Sequence, residues 1–188
     1  MARQGELVES GLLAMAVFLG TEAMLFAGLV SAFLVLRASA PVWPPPGQPR
    51  LPVGVTGMNT LVLLLSAYTM QRASVATRGE ARAAMVRWLA ATAALGTAFL
   101  LVQGAEWTAL LGHGLRASSG PYGATFYAIV GSHGLHVAAA VVTLLVLLAR
   151  AWRAPSAGEC RRRVEVCRLY WLFVVAVWPV LYALVYLS

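Results

Sequence analysis

Five continuous apolar runs, residues 11–36, 53–70, 84–105, 122–149 and 169–187, leave this chain few ways to fold in water. A bilayer crossing takes roughly 20 apolar residues as a helix, and each run approaches or exceeds that length, the second being the shortest. A spanning segment must satisfy its backbone internally, so it is either a helix or part of a closed barrel. Barrel strands would be short and alternating, whereas these runs are continuous, so all five are expected to be helices. Composition agrees. With 60% hydrophobic and 11% charged residues and a mean hydropathy of +0.76, a chain of 188 residues cannot hide its apolar surface in a soluble core. The expected fold is an all-α, polytopic bundle of five transmembrane helices, forming one membrane domain over residues 1–188. The first run carries Glu22 at its centre and no small-residue cleavage site near its end, so it is a poor signal peptide and is expected to be retained.

Arginine placement orients the bundle. All fourteen basic residues are Arg and all seven acidic ones Glu. Arg72, Arg78 and Arg82 fall between the second and third runs, and Arg87, in the first turn of the third, shares their side. Arg150, Arg153, Arg161, Arg162, Arg163 and Arg168 fall between the fourth and fifth, and Arg3 shares their side. Only Arg37, Arg50 and Arg116 lie on the other face, and this eleven-to-three split predicts a cytoplasmic amino terminus and an external carboxyl terminus. The net charge of +7 therefore reflects topology and anionic lipid rather than nucleic-acid binding. Between the first two runs, Trp43-Pro44-Pro45-Pro46-Gly47 cannot continue a helix, because proline lacks the backbone donor. It predicts a stiff connector with Trp43 at the interface. Cys160 and Cys167, seven residues apart in or beside a basic loop, suit neither a zinc ribbon nor a redox pair and are expected to be free thiols.

Polar residues within the apolar runs are costly and tend to mark function. Glu22 has no charged neighbour within a turn, so it either carries its proton or is hydrogen-bonded inside the bundle. His133 and His136 are three apart near the middle of the fourth run and share a helical face. They could ligate a haem or metal. A centre usually recruits more ligands, however, and the remaining imidazole, His113, lies outside the helices, so a hydrogen-bonded packing network reaching Glu22 is favoured. Gly131 and Gly134 are expected to let another helix approach there. Glu106, in Gln103-Gly104-Ala105-Glu106-Trp107, ends the third run and reads equally well as a solvated interface residue.

Taken in order, these residues resemble a known family. Glu22 stands where subunit III of the haem-copper terminal oxidases (cytochrome c oxidase type) has its membrane-embedded glutamate. Trp43-Pro44-Pro45, then Asn59-Thr60 and Ser66, are similar to the family's Trp-Pro-Pro connector and Asn-Thr helix. Gly96, Phe99, Gln103 and Glu106 match its Gly, Phe, Gln and Glu spacing. Tyr122-Gly123, Phe126, Gly131, His133-Gly134 and His136-Val137 resemble its most diagnostic block, and Tyr170-Trp171, Phe173-Val174 and Trp178 its last helix. The resemblance is to the short five-helix bacterial form and covers nearly the whole chain. Leu172 and Val175 stand where the family commonly has His and Asp, and Trp107 replaces its usual Tyr, so two polar partners on the last helix are expected to be missing.

The resemblance implies an accessory subunit of a proton-pumping, oxygen-reducing complex in the bacterial cytoplasmic membrane. Such a subunit binds no haem, copper or other metal and has no catalytic residue. Haem and copper belong to partner subunits I and II, with subunit IV and a larger respiratory supercomplex as further candidate partners, and phospholipid is expected between the helices. The family's subunit III supports assembly, proton uptake and turnover stability. Under this reading Glu22, Glu106, His133 and His136 serve packing, lipid contact or the local proton environment, with Gly131 and Gly134 as packing positions. Two alternatives stand beside it: a similar accessory subunit of nitric oxide reductase, and a small membrane cytochrome using His133 and His136 as haem ligands. A transporter is disfavoured by the absence of paired repeats.

Overall fold

The computed structural model describes residues 2–187, with side chains from residue 11 onward. Five long helices follow one another: α1 (Ala2–Ser39), α2 (Val53–Arg78), α3 (Arg82–Gly112), α4 (Pro121–Arg153) and α5 (Arg161–Tyr186), with a 3-10 turn at Gly158–Cys160 before the last. All five are long and apolar enough to cross a membrane. Each helix outruns its apolar stretch, and the extensions carry arginines. Arg72, Arg78, Arg82, Arg150, Arg153, Arg161, Arg162, Arg163 and Arg168 are therefore helical rather than looped. An aliphatic stem lets arginine remain in a helix while its guanidinium reaches the interface, so charge does not end the helix. Both cysteines are buried free thiols, Cys160 in the 3-10 turn and Cys167 on α5.

The two arginine-rich connections share one end of the bundle. There Glu165 of α5 accepts from Ser74 (2.9 Å) and Arg78 (3.2 Å) of α2, and from its neighbour Arg168, while Arg82 donates to the Trp152 carbonyl. At the far end the proline connector meets the start of α4. Trp43 packs edge-on between Phe33 and Tyr122, at centroid separations of 5.7 and 5.2 Å, and the Tyr122 hydroxyl donates to Pro49. Trp43 is thus half-buried against α1 and α4. Gly120, in the left-handed region at φ +99°, turns the chain into Pro121 at the first position of α4, where a missing N–H costs nothing.

Helices α2, α3, α4 and α5 form the compact body, and small hydroxyl and indole groups tie them. Trp171 and Trp178 of α5, both fully buried, donate to Ser66 (3.1 Å) and Thr60 (2.9 Å) of α2. Thr69 and Thr92 meet at 2.8 Å, and Asn59 donates to the Phe99 carbonyl (3.1 Å), joining α2 to α3. Such bonds replace the hydrophobic drive that lipid removes. The last helix is therefore not short of polar links: Trp171, Trp178, Tyr170 and Tyr186 supply them, although Leu172 and Val175 are apolar. Helix α1 is different. It lies against α4 and α5, and only 6% of its most apolar stretch is buried, against 33–39% in the others.

Candidate functional site

Glu22 and His136 meet across α1 and α4. Nε2 of His136 lies 2.7 Å from Oε2 of Glu22, both side chains about one-sixth exposed. The other ring nitrogen, Nδ1, lies 2.6 Å from the Ser132 carbonyl on its own helix. A carbonyl only accepts, so Nδ1 carries a hydrogen, and the Nε2–Oε2 line then holds a single proton. Whichever partner owns that proton, the pair as a whole is neutral, which suits a site in the middle of an apolar span. Phe26 covers the imidazole edge-on at 5.1 Å, and the Tyr170 hydroxyl approaches the His136 carbonyl at 3.4 Å.

His133 turns elsewhere. Three residues along a helix leave side chains about 60° apart, enough to send His136 toward α1 and His133 into the body. His133 is 1% exposed and stacks on Trp178 at 4.8 Å and 25°, with Phe99 and Phe26 edge-on at 6.2 Å. Neither ring nitrogen has a hydrogen-bond partner among the described residues. The two histidines thus do not converge on one ligand position, and among the described residues no group of three or more His, Cys, Asp or Glu side chains comes together.

Glu106 corrects the reading of a solvated interface residue. It is 7% exposed, because α3 runs on to Gly112 and the first turn of α2 covers it. Thr56 lies 3.1 and 3.0 Å from its two carboxyl oxygens, and Gln103 donates to Oε2 at 2.9 Å and also reaches Tyr186 (3.3 Å). Gln103 is visible in the sequence at a one-turn spacing. Thr56 and Tyr186, on α2 and α5, have no sequence signal.

The expected packing glycines also divide. A Cβ on Gly134 would press on Trp107 of α3 at 3.1 Å, a close approach, whereas one on Gly131 would meet nothing within 4 Å. Within this chain Gly131 therefore lets no other helix approach closely. The tight glycines are Gly96, whose added Cβ would collide with the Trp171 ring, and Gly123, whose added Cβ would collide with the Arg116 carbonyl.

Two grooves flank the Glu22–His136 pair. One, of about 500 Å³, lies between α1, α4 and α5 at the arginine-rich end, lined by Phe18, Leu147 and Tyr170 and headed by Arg150, Arg162 and Arg163. The other, of about 380 Å³, is apolar and runs between Ala23, Phe26 and Val30 of α1 and Phe173, Val177 and Leu181 of α5.

A membrane bundle with a neutral acid–imidazole pair and buried polar ties is a scaffold, and known proteins say which. The family described as cytochrome c oxidase subunit III matches residues 2–188. The chain belongs to that family. It is 37% identical over 175 residues to cytochrome c oxidase subunit 3 of Synechocystis sp., covering 91% of this chain and 72% of that protein. It is 34% identical to cytochrome c oxidase subunit 3 of Thermostichus vulcanus, over 93% of this chain and 86% of that one. The similarity extends to subunit 3 of the cytochrome bo(3) ubiquinol oxidase of Pseudomonas aeruginosa, at 29% over 91% and 81%. The chain is thus an accessory subunit III of a haem-copper oxidase, an integral membrane protein and a member of a multi-subunit complex.

Proposed function

We propose that this subunit flanks the oxygen-reducing subunit I of its complex in a bacterial cytoplasmic membrane and supports assembly, lipid binding, proton uptake and stability during turnover. It performs no bond-making step, and haem and copper reside in subunits I and II. The observation that carries this reading is the engagement of its polar groups with one another: both nitrogens of His136 are occupied, and Glu106 is satisfied by Thr56 and Gln103. His136 is then not presented as a haem or copper ligand, and His133 is sealed under Trp178. The test is to tag this chain and purify it in mild detergent. Subunits I and II should accompany it with their haem, and after the tagged chain is dissociated from them its fraction should show no Soret band and no stoichiometric copper. Stoichiometric haem iron on the dissociated chain, lost on changing His133 or His136, would overturn the reading.

Phospholipid fits the larger groove. Arg150 and Arg163 at its mouth match a phosphate headgroup, and Phe18, Val146 and Leu147 below match acyl chains. The same arginines support a cytoplasmic amino terminus. Cysteines introduced at Arg161 and at Arg116, both exposed, in a background lacking Cys160 and Cys167, should label from opposite sides, position 161 from the cytoplasm. Labelling of both from one side contradicts the topology.

A further inference from the structure

We propose that Glu106 anchors a buried sodium-ion site between α2 and α3. A carboxyl inside a membrane bundle is a candidate functional group, and this one has hydrogen-bond partners but no countercharge. Glu106 is 7% exposed, and its partners are the neutral side chains of Thr56 and Gln103. Among the described residues no arginine or histidine pairs with it. The hydrogens around it are too few. The Thr56 hydroxyl has one, and three acceptors surround it: the Pro52 carbonyl at 2.9 Å and the two carboxyl oxygens at 3.0 and 3.1 Å. Gln103 turns its amide nitrogen to the carboxyl, 2.9 Å away, because its oxygen there would be repelled by a carboxylate. Oε1 of Gln103 is thereby a buried acceptor with no hydrogen-bond partner among the described residues. Asn59, one turn along α2 from Thr56, donates to the Phe99 carbonyl, and its Oδ1 is likewise buried and unpartnered on the same seam.

A surplus of oxygen acceptors around one carboxylate suits a cation. Hard cations take hydroxyl, amide and carboxyl oxygens, so they need no cluster of His, Cys or several acids. Glu106, Thr56 and Gln103 supply such oxygens, and a further one stands on the same seam in Asn59. Two oxygens bound to one small hard ion lie about 3–3.5 Å apart, and Thr56 Oγ1 stands at that spacing from the carboxyl. Charge sets the valence: one carboxylate is neutralised by a single positive charge, whereas a divalent ion would leave net charge in an apolar bundle. Size favours sodium, because potassium is larger and spreads its ligands wider than these contacts. The Thr56 hydrogen then serves Pro52, its lone pairs turn to the ion, and Gln103 Oε1 gains the partner it lacks. Gln103 also reaches Tyr186 of α5 at 3.3 Å, so an ion here pins three helices. Thr56 lies in the first turn of α2 and Glu106 less than two turns from the end of α3, so the path from water is short. The family resemblance implies a chain without metal; sodium at Glu106 is the exception, and its role is structural rather than redox.

The assembled complex, purified in sodium-free buffer and mild detergent, is placed at one ionic strength in sodium, potassium or choline chloride, and the rate at which this chain dissociates on mild heating is followed. Sodium should slow release of the natural chain about tenfold relative to choline, saturably, and potassium should do far less. Glu106→Gln keeps the size and hydrogen bonds of the side chain and removes the charge that holds the ion, so it should be released at the same rate in sodium and in choline. If that variant does not assemble, Thr56→Val takes its place: it keeps the shape, removes one ligand oxygen, and should need about tenfold more sodium for the same protection. The salt comparison on the natural chain stands without either variant. Equal release of the natural chain in all three salts, potassium as protective as sodium, or an undiminished sodium response in Glu106→Gln, or in Thr56→Val where it is the one used, would overturn the site.

Discussion

Gly96→Ala is expected to destabilise the bundle by about 2–3 kcal/mol and to strip the subunit from its complex, although it adds one methyl group. The added Cβ would collide with Cη2 of Trp171 and lie 3.0 Å from Cγ2 of Val141. Trp171 is fully buried and its indole N–H is committed to Ser66, so the ring cannot swing away without leaving a buried donor unsatisfied. Gly131→Ala is the control. Nothing lies within 4 Å of its Cβ, and alanine is the better helix former, so assembly should be unchanged. Trp171→Phe removes the offending ring atoms, and the double variant with Gly96→Ala should recover part of the loss, a coupling that a double-mutant cycle reads. The measurements are the yield of subunit retained after detergent extraction and the temperature at which it dissociates. Normal retention of Gly96→Ala would contradict the packing described.

Glu22→Ala and His136→Ala should each weaken retention of the subunit, by about 1–2 kcal/mol, and the pair together should cost little more than either alone. Each single change leaves the surviving partner facing lipid or an apolar wall without its hydrogen bond, and the second change removes that stranded group. His133→Ala should behave differently. It removes a ring stacked on Trp178 from a fully buried position, so its cost is a cavity, and it should add independently to Glu22→Ala. Additive losses for Glu22 and His136, or strong coupling between Glu22 and His133, would mean that the wrong histidine has been paired.

The contrast between the two histidines shows where sequence reading stops. Five spans, the shared end of the two arginine-rich connections and the membrane depth of Glu22 follow from apolar run length and charge placement alone. Spacing puts His133 and His136 on one face, but a helical face is broad, and only the position of α1 decides that one reaches Glu22 while the other stacks on Trp178. Gly131 and Gly134 look alike in sequence for the same reason. Gly96 is the more crowded position because a tryptophan from α5 crosses there, and no local pattern announces a residue 75 positions away. Glu106 reads as solvated because the apolar run ends beside it, whereas the helix continues and Thr56 and Tyr186 arrive from other helices. The helix ends are legible only to the last apolar residue, since arginine stems carry the backbone further than hydropathy does.

If this chain sustains an oxidase without taking part in its chemistry, as proposed, oxygen consumption over successive turnovers by the complex purified with and without it should separate the two roles. The complex lacking this subunit should keep its haem spectrum and a substantial initial rate, then inactivate several-fold sooner than the intact complex. Complete loss of the initial rate with haem content intact, or inactivation at an unchanged pace, would contradict it.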